Sequence, residues 1–380
     1  MSETRRFLVT GASGLVGSEV VARLHRAGHS VVALTHRVPD VIDSAGTVID
    51  MTAYGEQSRG VGPAVPEAKA DLSAPMVSYA VGDVRRSDFG LTPALWDRLC
   101  AETDVIVHCA ASTDFAAAQT VYDELNVGGT VHACRLALAA NAPLIYVGTA
   151  YVCGKREGAI SESDLSDAHG FGNGYERSKF QAEMHLRSLE GLQWTVVRPG
   201  IVTGYADTGL IRDRKNLYTV VKLIVEGKLR TLPGRYDATL SLAPTDFVAD
   251  VVVAAATHFD LSLGNTFHAV GDSTLSLRQM SDVLAEYPSF EVARFVPTAS
   301  FSVDDLDRVQ REYYLRIGVQ YANYFDGRRT FDTTNTSALL GRRPPDTGAD
   351  YLRVLLDDCL EAGFLGSALP SISEVIQCSN

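Results

Sequence analysis

The sequence predicts an α/β fold, a doubly wound parallel sheet followed by a smaller, mostly helical C-terminal lobe, and three observations carry that reading. Phe7-Leu8-Val9-Thr10 runs straight into three glycines spaced G-x-x-G-x-x-G (Gly11, Gly14, Gly17), after which Val20, Val21 and Leu24 recur at helical spacing. Short apolar runs alternate with helix-length segments over the first two hundred residues, the pattern of strands joined in parallel through crossing helices. Beyond Gly204 the alternation loosens and amphipathic helical patterns take over. With 380 residues and 46% hydrophobic content the chain can bury a large core, and its length suits one large domain with an appended lobe.

The first strand-turn-helix has the form of a dinucleotide cradle. Gly11 lets the chain turn, Gly14 lets a phosphate approach the backbone, and Gly17 lets the helix pack closely on the strand. Ser13, Leu15 and Val16 complete the turn, and the N–H groups opening the helix offer the positive end of a dipole to a diphosphate. Residues 30–34, 77–81, 105–109, 144–147 and 194–198 read as the next strands. Residues 36–75, rich in Gly, Pro, Ser and Asp, read as a long loop with one short helix. Further on, 217–229 and 246–258 read as helices, the second capped by Thr245. A strand at 266–270, a helix at 277–287 and a closing helix at 350–362 complete the lobe. The Tyr-, Arg- and Asp-rich stretch 303–325 reads either as a surface helix or lid over a pocket, or as a peripheral helical hairpin away from any substrate. No internal repeat or low-complexity linker is visible. The expected division is therefore a nucleotide-binding domain over 1–204, with parts of 240–275 returning to it, and a substrate lobe over 205–380.

Composition narrows the partners. A formal net charge of −12 argues against nucleic acid or an anionic membrane surface, both of which want clustered Lys and Arg. Apolar runs such as 251–256 fall far short of the roughly 20 residues a bilayer requires. Met1-Ser2-Glu3-Thr4-Arg5-Arg6 passes directly into the first strand without a signal-peptide pattern. The six cysteines (Cys100, Cys109, Cys134, Cys153, Cys359, Cys378) lack C-x-x-C spacing and read as reduced, mostly buried thiols. The nine histidines show no metal-ligand spacing. A cytoplasmic protein without a metal is expected.

The second strand ends Ala33-Leu34-Thr35-His36-Arg37. The acid that grips a ribose 2′-hydroxyl in NAD-binding units is missing there, and Arg37 offers a guanidinium suited to a 2′-phosphate, so NADP(H) is favoured over NAD. An exposed loop arginine is the alternative, and His36 either adds charge or is simply solvated. In Gly82-Asp83-Val84, Asp83 can meet an adenine amine or serve as a turn aspartate. The small residues Cys109-Ala110-Ala111, with Thr113 beyond them, let backbone pass close to a cofactor.

The chemistry sits in Gly174-Tyr175-Glu176-Arg177-Ser178-Lys179. Residues four apart on a helix share a face, so the Tyr175 phenol and the Lys179 ammonium point into one site. The ammonium is expected to favour phenolate and lower the phenol from its reference near about 10, making Tyr175 a proton donor or acceptor near neutral pH. Thr149, at the end of a strand in Tyr146-Val147-Gly148-Thr149-Ala150-Tyr151, adds a hydroxyl.

With these motifs in order, the chain resembles an extended short-chain dehydrogenase/reductase, a Rossmann-type fold. The likeness covers about the first 205 residues. It takes in the glycine motif, Gly82-Asp83-Val84, His108-Cys109-Ala110-Ala111, Asn126-Val127-Gly128-Gly129-Thr130, Thr149, Tyr175 with Lys179, and Arg198-Pro199-Gly200. Gly148 and Cys109 depart from the residues usual in the family, and both are small enough to leave its mechanism intact. The contexts of Thr149 and Tyr175, Gly82-Asp83-Val84-Arg85-Arg86, Leu232-Pro233-Gly234 and Pro244-Thr245-Asp246 make it most similar to the thioester-reductase and fatty-acyl-reductase (male-sterility-like) branch.

The resemblance implies that Tyr175 protonates the oxyanion formed as hydride reaches a carbonyl carbon and that Thr149 hydrogen-bonds that oxygen. It also implies that Lys179 holds the nicotinamide ribose, that Val147, Pro199, Gly200, Ile201 and Val202 line the nicotinamide, and that Asn126 orders the sheet or a water. The implied function is an NADPH-dependent reductase of an acyl thioester, or an aldehyde derived from it, in small-metabolite biosynthesis. Its small-molecule substrate would be borne on coenzyme A or a carrier protein. A ketoreductase or alcohol dehydrogenase for a natural-product or steroid-like ketone is the runner-up. Arg37 weighs against a sugar-nucleotide epimerase, and Tyr175 with Lys179 against a non-catalytic NADP sensor. Arg212, Arg214, Lys215 and Arg235 are either solvated or placed to meet a pantetheine phosphate or carrier. A monomer or homodimer is expected.

Overall fold

The computed structural model describes residues 4–37, 40–55 and 76–366. Its central sheet is built from β1 (Arg6–Thr10), β2 (Ser30–Thr35), β3 (Thr52–Ala53), β4 (Val77–Val81), β5 (Val105–His108) and β6 (Leu144–Val147). After the short β7 (Gly158–Ile160) the sheet continues with β8 (Trp194–Pro199). Next come β9 (Ile201–Thr203), β10 (Thr231–Pro233), β11 (Thr239–Leu240) and β12 (Leu242–Pro244), and the sheet closes with β13 (Thr266–Ala269). All eight strands run parallel in the order β13-β8-β6-β5-β1-β2-β4-β3. Chain order reverses between β1 and β5, which pair from Phe7↔Val105 to Thr10↔His108, and the crevice at their carboxyl ends is where such sheets take ligands.

Because successive strand residues face opposite ways, β1 splits its side chains between two cores. Phe7 and Val9 pack with α1 (Leu15–Arg26), while Leu8 packs on the other face with α2 (Pro93–Glu102). The second face is also covered by a helix that runs from α3 (Gln119–Val121) through a π-helical turn (Tyr122–Gly128) into α4 (Gly129–Ala140). Beyond it lies α5 (Gly174–Ser188), which carries Tyr175 and Lys179. α1 is joined on its face by a helix from much later in the chain.

That later helix shows how the second lobe is threaded. After β9 the chain forms α6 (Leu217–Val225), returns through β12, which pairs in parallel with β9, and enters α7 (Thr245–Thr257). Phe247, Val248 and Val251 of α7 pack into the core of α1, and β13 then extends the sheet beside β8. The lobe keeps its own core, in which Val221 and Leu232 meet Leu277 and Leu355. No helix among the described residues is long and apolar enough to cross a membrane.

Several element boundaries differ from the sequence reading. α6 stops at Val225 because Gly227 takes a left-handed conformation (φ +68°). Thr245 does not cap α7; it is the first helical residue, and its hydroxyl donates to the Thr203 carbonyl instead. The helix expected over 277–287 ends at Leu284. The stretch 303–325 is not one helix. Asp307 accepts from the backbone N–H groups of Val309 and Gln310 (both 3.0 Å) and starts a new helix, Arg308–Tyr313. That helix passes through a π-helical turn, Tyr314–Gly318, into a final 3₁₀ turn, Ala322–Phe325. Of the expected loop over 36–75, residues 38–39 and 56–75 lie outside the described residues, as does Cys378; the part around Val41–Ile49 forms a tight turn closed by a bridge between Ile42 and Val48.

One polar cluster fixes the helix of interest to the sheet. Arg198 on β8 and Glu183 on α5 are both fully buried, and the guanidinium grips the carboxylate with two bonds of 3.0 and 2.6 Å. The remaining guanidinium nitrogen donates to the carbonyls of Asp164 (2.9 Å) and Glu162 (3.4 Å). Glu162 in turn accepts from the backbone N–H groups of His268, Asn335 and Thr336. Removing one partner of such a pair leaves an uncompensated buried charge, so Glu183→Ala should lower the unfolding free energy by about 3–5 kcal/mol. Urea denaturation measures this; a loss below about 1 kcal/mol, the worth of an exposed pair, would overturn it.

Candidate active site

The glycine turn is shaped by close approach. Gly11 has φ +66°, and a Cβ there would sit 2.7 Å from the Ala110 nitrogen. A Cβ on Gly17 would fall 2.2 Å from the Gly11 carbonyl oxygen, so α1 lies directly on the turn. Gly14 occupies the N-cap of α1 and supplies no side-chain cap, leaving the helix's first N–H groups available to an anion.

From this turn a cavity of about 320 Å³ runs along the carboxyl ends of β1, β5 and β6 to the second lobe. Its walls include Gly11, Gly14, Leu15, Val16, Ala111, Thr113, Val147, Thr149, Tyr175, Lys179, Pro199, Gly200 and Val202, so most of the site residues expected from the sequence meet in one space. Ser13, Arg37, Asp83, Val84 and Ala110 lie outside those walls. Arg37 is exposed, and its carbonyl accepts from the Thr35 hydroxyl (3.1 Å). Asp83 is engaged by Arg85 through bonds of 2.9 and 2.7 Å, with His36 Nε2 3.5 Å away. The Arg85 guanidinium holds the Asp83 carboxyl down at about 2. Arg85 was visible in the sequence only as one of two adjacent arginines.

Local structure aims the reactive groups. Asn173 caps α5 by accepting from the Glu176 N–H (2.9 Å), which sets the first turn so that Tyr175 and Lys179 face the cavity. Thr149 lies two residues past the end of β6; its hydroxyl is 3.4 Å from the Pro199 carbonyl and hydrogen-bonds the Tyr175 phenol. Asn126 sits in the π-helical turn, where it donates to Ser178 Oγ (2.9 Å) and accepts from the Ser112 N–H (2.8 Å). It thereby ties the loop after β5 to α5, an ordering role rather than a reacting one.

The electrostatics correct one expectation. Lys179 does not lower the Tyr175 phenol: burial raises that phenol well above its ordinary value, and the Thr149 hydrogen bond offsets only part of the rise. The reason is where the ammonium goes. Lys179 Nζ donates to the Val147 carbonyl (2.8 Å) and lies 4.4 Å from the centre of the Tyr146 ring. Burial also acts on Lys179 itself, pulling it down from the usual lysine range to about 7. The resting arrangement is therefore a protonated phenol beside a lysine poised near neutrality, a pairing able to deliver a proton to an oxygen held at Thr149.

The second lobe supplies a wall that the sequence reading did not assign. Tyr321, Tyr324 and Phe325, from the end of the 303–325 stretch, line the cavity. Phe115 and Tyr151 join them from the first domain. The run of aromatics from Tyr313 to Phe325 was the available signal, but periodicity does not say which face meets a site. Of the four cations singled out in the lobe, Lys215 lines the cavity and pairs with Asp213 (3.1 Å). Arg214 is bound to Asp358 and Arg235 to Asp237, and Arg212 reaches the Ser13 carbonyl (2.9 Å) beside the glycine turn.

A sequence profile of the family described as male sterility protein matches residues 9–252. The chain is 28% identical over 307 residues to the L-2-aminoadipate reductase large subunit of Penicillium chrysogenum, covering 75% of this chain and 21% of that protein. It is 28% identical over 277 residues to a carboxylic acid reductase of Segniliparus rugosus, covering 66% of this chain and 23% of that protein. It thus spans about a fifth of the length of these curated relatives. Among solved structures, the terminal R domain from the myxalamid PKS-NRPS biosynthetic pathway superposes with a TM-score of 0.76 at 22% identity, over 97% of this chain and 94% of that one.

The buried ammonium yields a direct measurement. In protein with ¹³C-labelled lysine side chains, one Nζ-adjacent resonance should titrate near 7 while the others titrate in the ordinary range, and Lys179→Arg should remove it. Lys179 titrating with the rest would show that the site is wetter than its packing indicates.

Proposed function

The chain belongs to the male sterility protein family, and on that premise we propose that it is an NADPH-dependent reductase of an acyl thioester, or of the aldehyde derived from it, in the biosynthesis of a small metabolite. The observation that carries this reading is the single cavity joining the glycine turn and the uncapped N-terminus of α1 to Thr149, Tyr175 and Lys179. The residues fit a nicotinamide dinucleotide, since Gly11 and Gly17 leave no room for a Cβ and so keep backbone N–H groups at the surface of the cradle.

Gly11, Ser13, Gly14, Leu15 and Val16 would hold the diphosphate, with Ala110, Ala111 and Thr113 beside it. Asp83 and Val84 would meet the adenine, Arg37 the 2′-phosphate and Lys179 the ribose, with Val147, Pro199, Gly200 and Val202 against the nicotinamide. When bound, the cofactor supplies hydride to the carbonyl carbon. Tyr175 Oη gives its proton to the carbonyl oxygen, a role suited to a phenol that burial keeps protonated. Thr149 Oγ1 would hydrogen-bond the same oxygen, and Lys179 Nζ, held at the Val147 carbonyl, would serve the ribose and not the phenol. From a thioester the product is a hemithioacetal, which releases a thiol and an aldehyde.

The relatives' names, an aminoadipate reductase and a carboxylic acid reductase, favour a substrate at the oxidation level of an acid. The acyl group would arrive on coenzyme A or a separate carrier protein. The proposal puts the enzyme in the cytoplasm as a monomer or homodimer, without a nucleic-acid or membrane partner. The deciding experiment follows NADPH consumption and thiol release together across acyl-coenzyme A and acyl-carrier substrates. Turnover of a ketone with no thiol released from any thioester would favour the ketoreductase reading instead.

Two expected outcomes test the assigned residues. Tyr175→Phe should abolish turnover and leave NADPH binding nearly intact, whereas Lys179→Ala should harm both; a Tyr175→Phe enzyme with most of its rate would move the proton donor elsewhere. NADPH should bind more tightly than NADH, and Arg37→Ala should weaken NADPH alone by about 1.5–3 kcal/mol, the scale of a charge-assisted hydrogen bond. Calorimetric titration of both cofactors reads this directly, and equal affinities would remove the NADP assignment.

A further inference from the structure

We propose that Glu176 is a positioning residue, which latches the aromatic wall of the second lobe to the helix carrying Tyr175 and so sets the shape of the cavity beside the phenol; the inference rests on the reductase reading above for what enters that cavity. Glu176 is the third residue of α5, after the cap residue Asn173, and only 3% of it is exposed. A glutamate at this position ordinarily turns back to the N–H of the cap residue itself. Here it reaches one residue further. Its carboxylate accepts the Gly172 N–H (2.7 Å) and the hydroxyl of Tyr324, which comes from the second lobe.

The other half of the latch is made by the neighbouring residue of the second lobe. Asn323 Nδ2 donates to the Gly172 carbonyl (2.7 Å). Gly172 thus commits its N–H to α5 and its carbonyl to the second lobe, and it is closely packed between them. A Cβ there would stand 3.0 Å from Glu176 Oε2 and 3.1 Å from the Asn323 Cβ. A buried carboxylate is costly unless it is bonded, so Glu176 tolerates few arrangements of Gly172 and Tyr324 other than this one.

The contacts return to the phenol. The Tyr324 ring lines the cavity and stacks on Phe115, with centres 5.5 Å apart and an interplanar angle of 5°. Phe115 lies 5.3 Å from the Tyr321 ring and 5.5 Å from the ring of Tyr175, the residue before Glu176. Glu176, Tyr324, Phe115 and Tyr175 therefore form a closed circuit, and the wall keeps its place relative to the proton donor only while that circuit is intact. Small displacements of groups that position a reacting partner cost far more in rate than the contact itself is worth. The glycine turn lies outside the circuit, and Lys179 is held separately at the Val147 carbonyl. Opening the latch should disturb what binds against the wall and spare the cofactor.

The test uses the full chain with NADPH and hexanoyl-coenzyme A, and compares Glu176→Ala, Glu176→Gln, Tyr324→Phe and the Glu176→Ala/Tyr324→Phe pair. Each of Glu176→Ala and Tyr324→Phe should raise KM at least about tenfold, with kcat changed less than about threefold and the NADPH dissociation constant within about twofold of wild type. Glu176→Gln should recover most of the loss, since its amide can accept the Gly172 N–H and donate to Tyr324. The double variant should cost no more than either single change, because both open one latch. A second readout needs no substrate: in Glu176→Ala, or in Tyr324→Phe should the alanine variant not fold, amide hydrogen exchange should quicken together over 170–176 and 319–327 and stay unchanged over 7–20. KM within about threefold of wild type in the single variants, or NADPH affinity lost in step with KM, would overturn the inference and leave the reductase reading standing. If the wild type does not reduce hexanoyl-coenzyme A, that counts against the thioester reading and exchange decides the latch. A joint response of the two segments would keep it, and separate responses would overturn it.

Discussion

The arrangement of the site depends on a charge pair that water never reaches. Arg198 and Glu183 join β8 to α5 through two parallel hydrogen bonds, and the rest of the guanidinium fastens the loop carrying Glu162 and Asp164. Such a pair returns little net stability over apolar residues of equal volume, yet it permits only one geometry. α5 is therefore fixed in both height and rotation against the strand that ends in Pro199. Tyr175 and Lys179 inherit their positions from that contact, since both lie on the same helix one and two turns before Glu183. Glu162 extends the constraint by accepting backbone N–H groups from β13 and from the helix Thr334–Leu340, so a segment from late in the chain is bound to the same polar core.

Burial also sets the chemistry. Tyr175 and Lys179 are each pushed toward the neutral form, the phenol upward and the ammonium down to about 7. Helical spacing alone would have made them an ion-stabilising couple. In the folded protein the Val147 carbonyl and the Tyr146 ring take up the lysine, and the phenol keeps its proton while hydrogen-bonded with Thr149. A buried site of this kind strengthens any dipole aimed at a charge that develops inside it.

That wall comes from the second lobe, and the lobe is not an appendage. Its chain leaves after β9, builds a core around Leu232 and Leu277, and sends α7 and β13 back to the first core. The π-helical turn Tyr314–Gly318 interrupts the segment that ends at Phe325, and the residues beyond it bring Tyr321, Tyr324 and Phe325 to the cavity. The glycine turn and the aromatic wall thus meet because the chain that builds the second core sends one helix and one edge strand back to the first.

The sequence by itself determined the strand-turn-helix over Arg6–Arg26, the parallel sheet and the meeting of Thr149, Tyr175 and Lys179, because each is written locally. Glycines mark positions where a Cβ has no room, apolar runs mark strands buried on both faces, and a four-residue spacing marks one face of a helix. Only the tertiary structure decided the direction of the Tyr175 shift, the grip of Arg85 on Asp83, the Arg198–Glu183 pair and the aromatic wall. Each of these depends on what surrounds a side chain in space. Phe115 and Tyr324 stand more than two hundred residues apart, and no local pattern relates them. Desolvation likewise follows from the number of neighbours that exclude water, which long-range packing sets and which a residue's own sequence context does not contain.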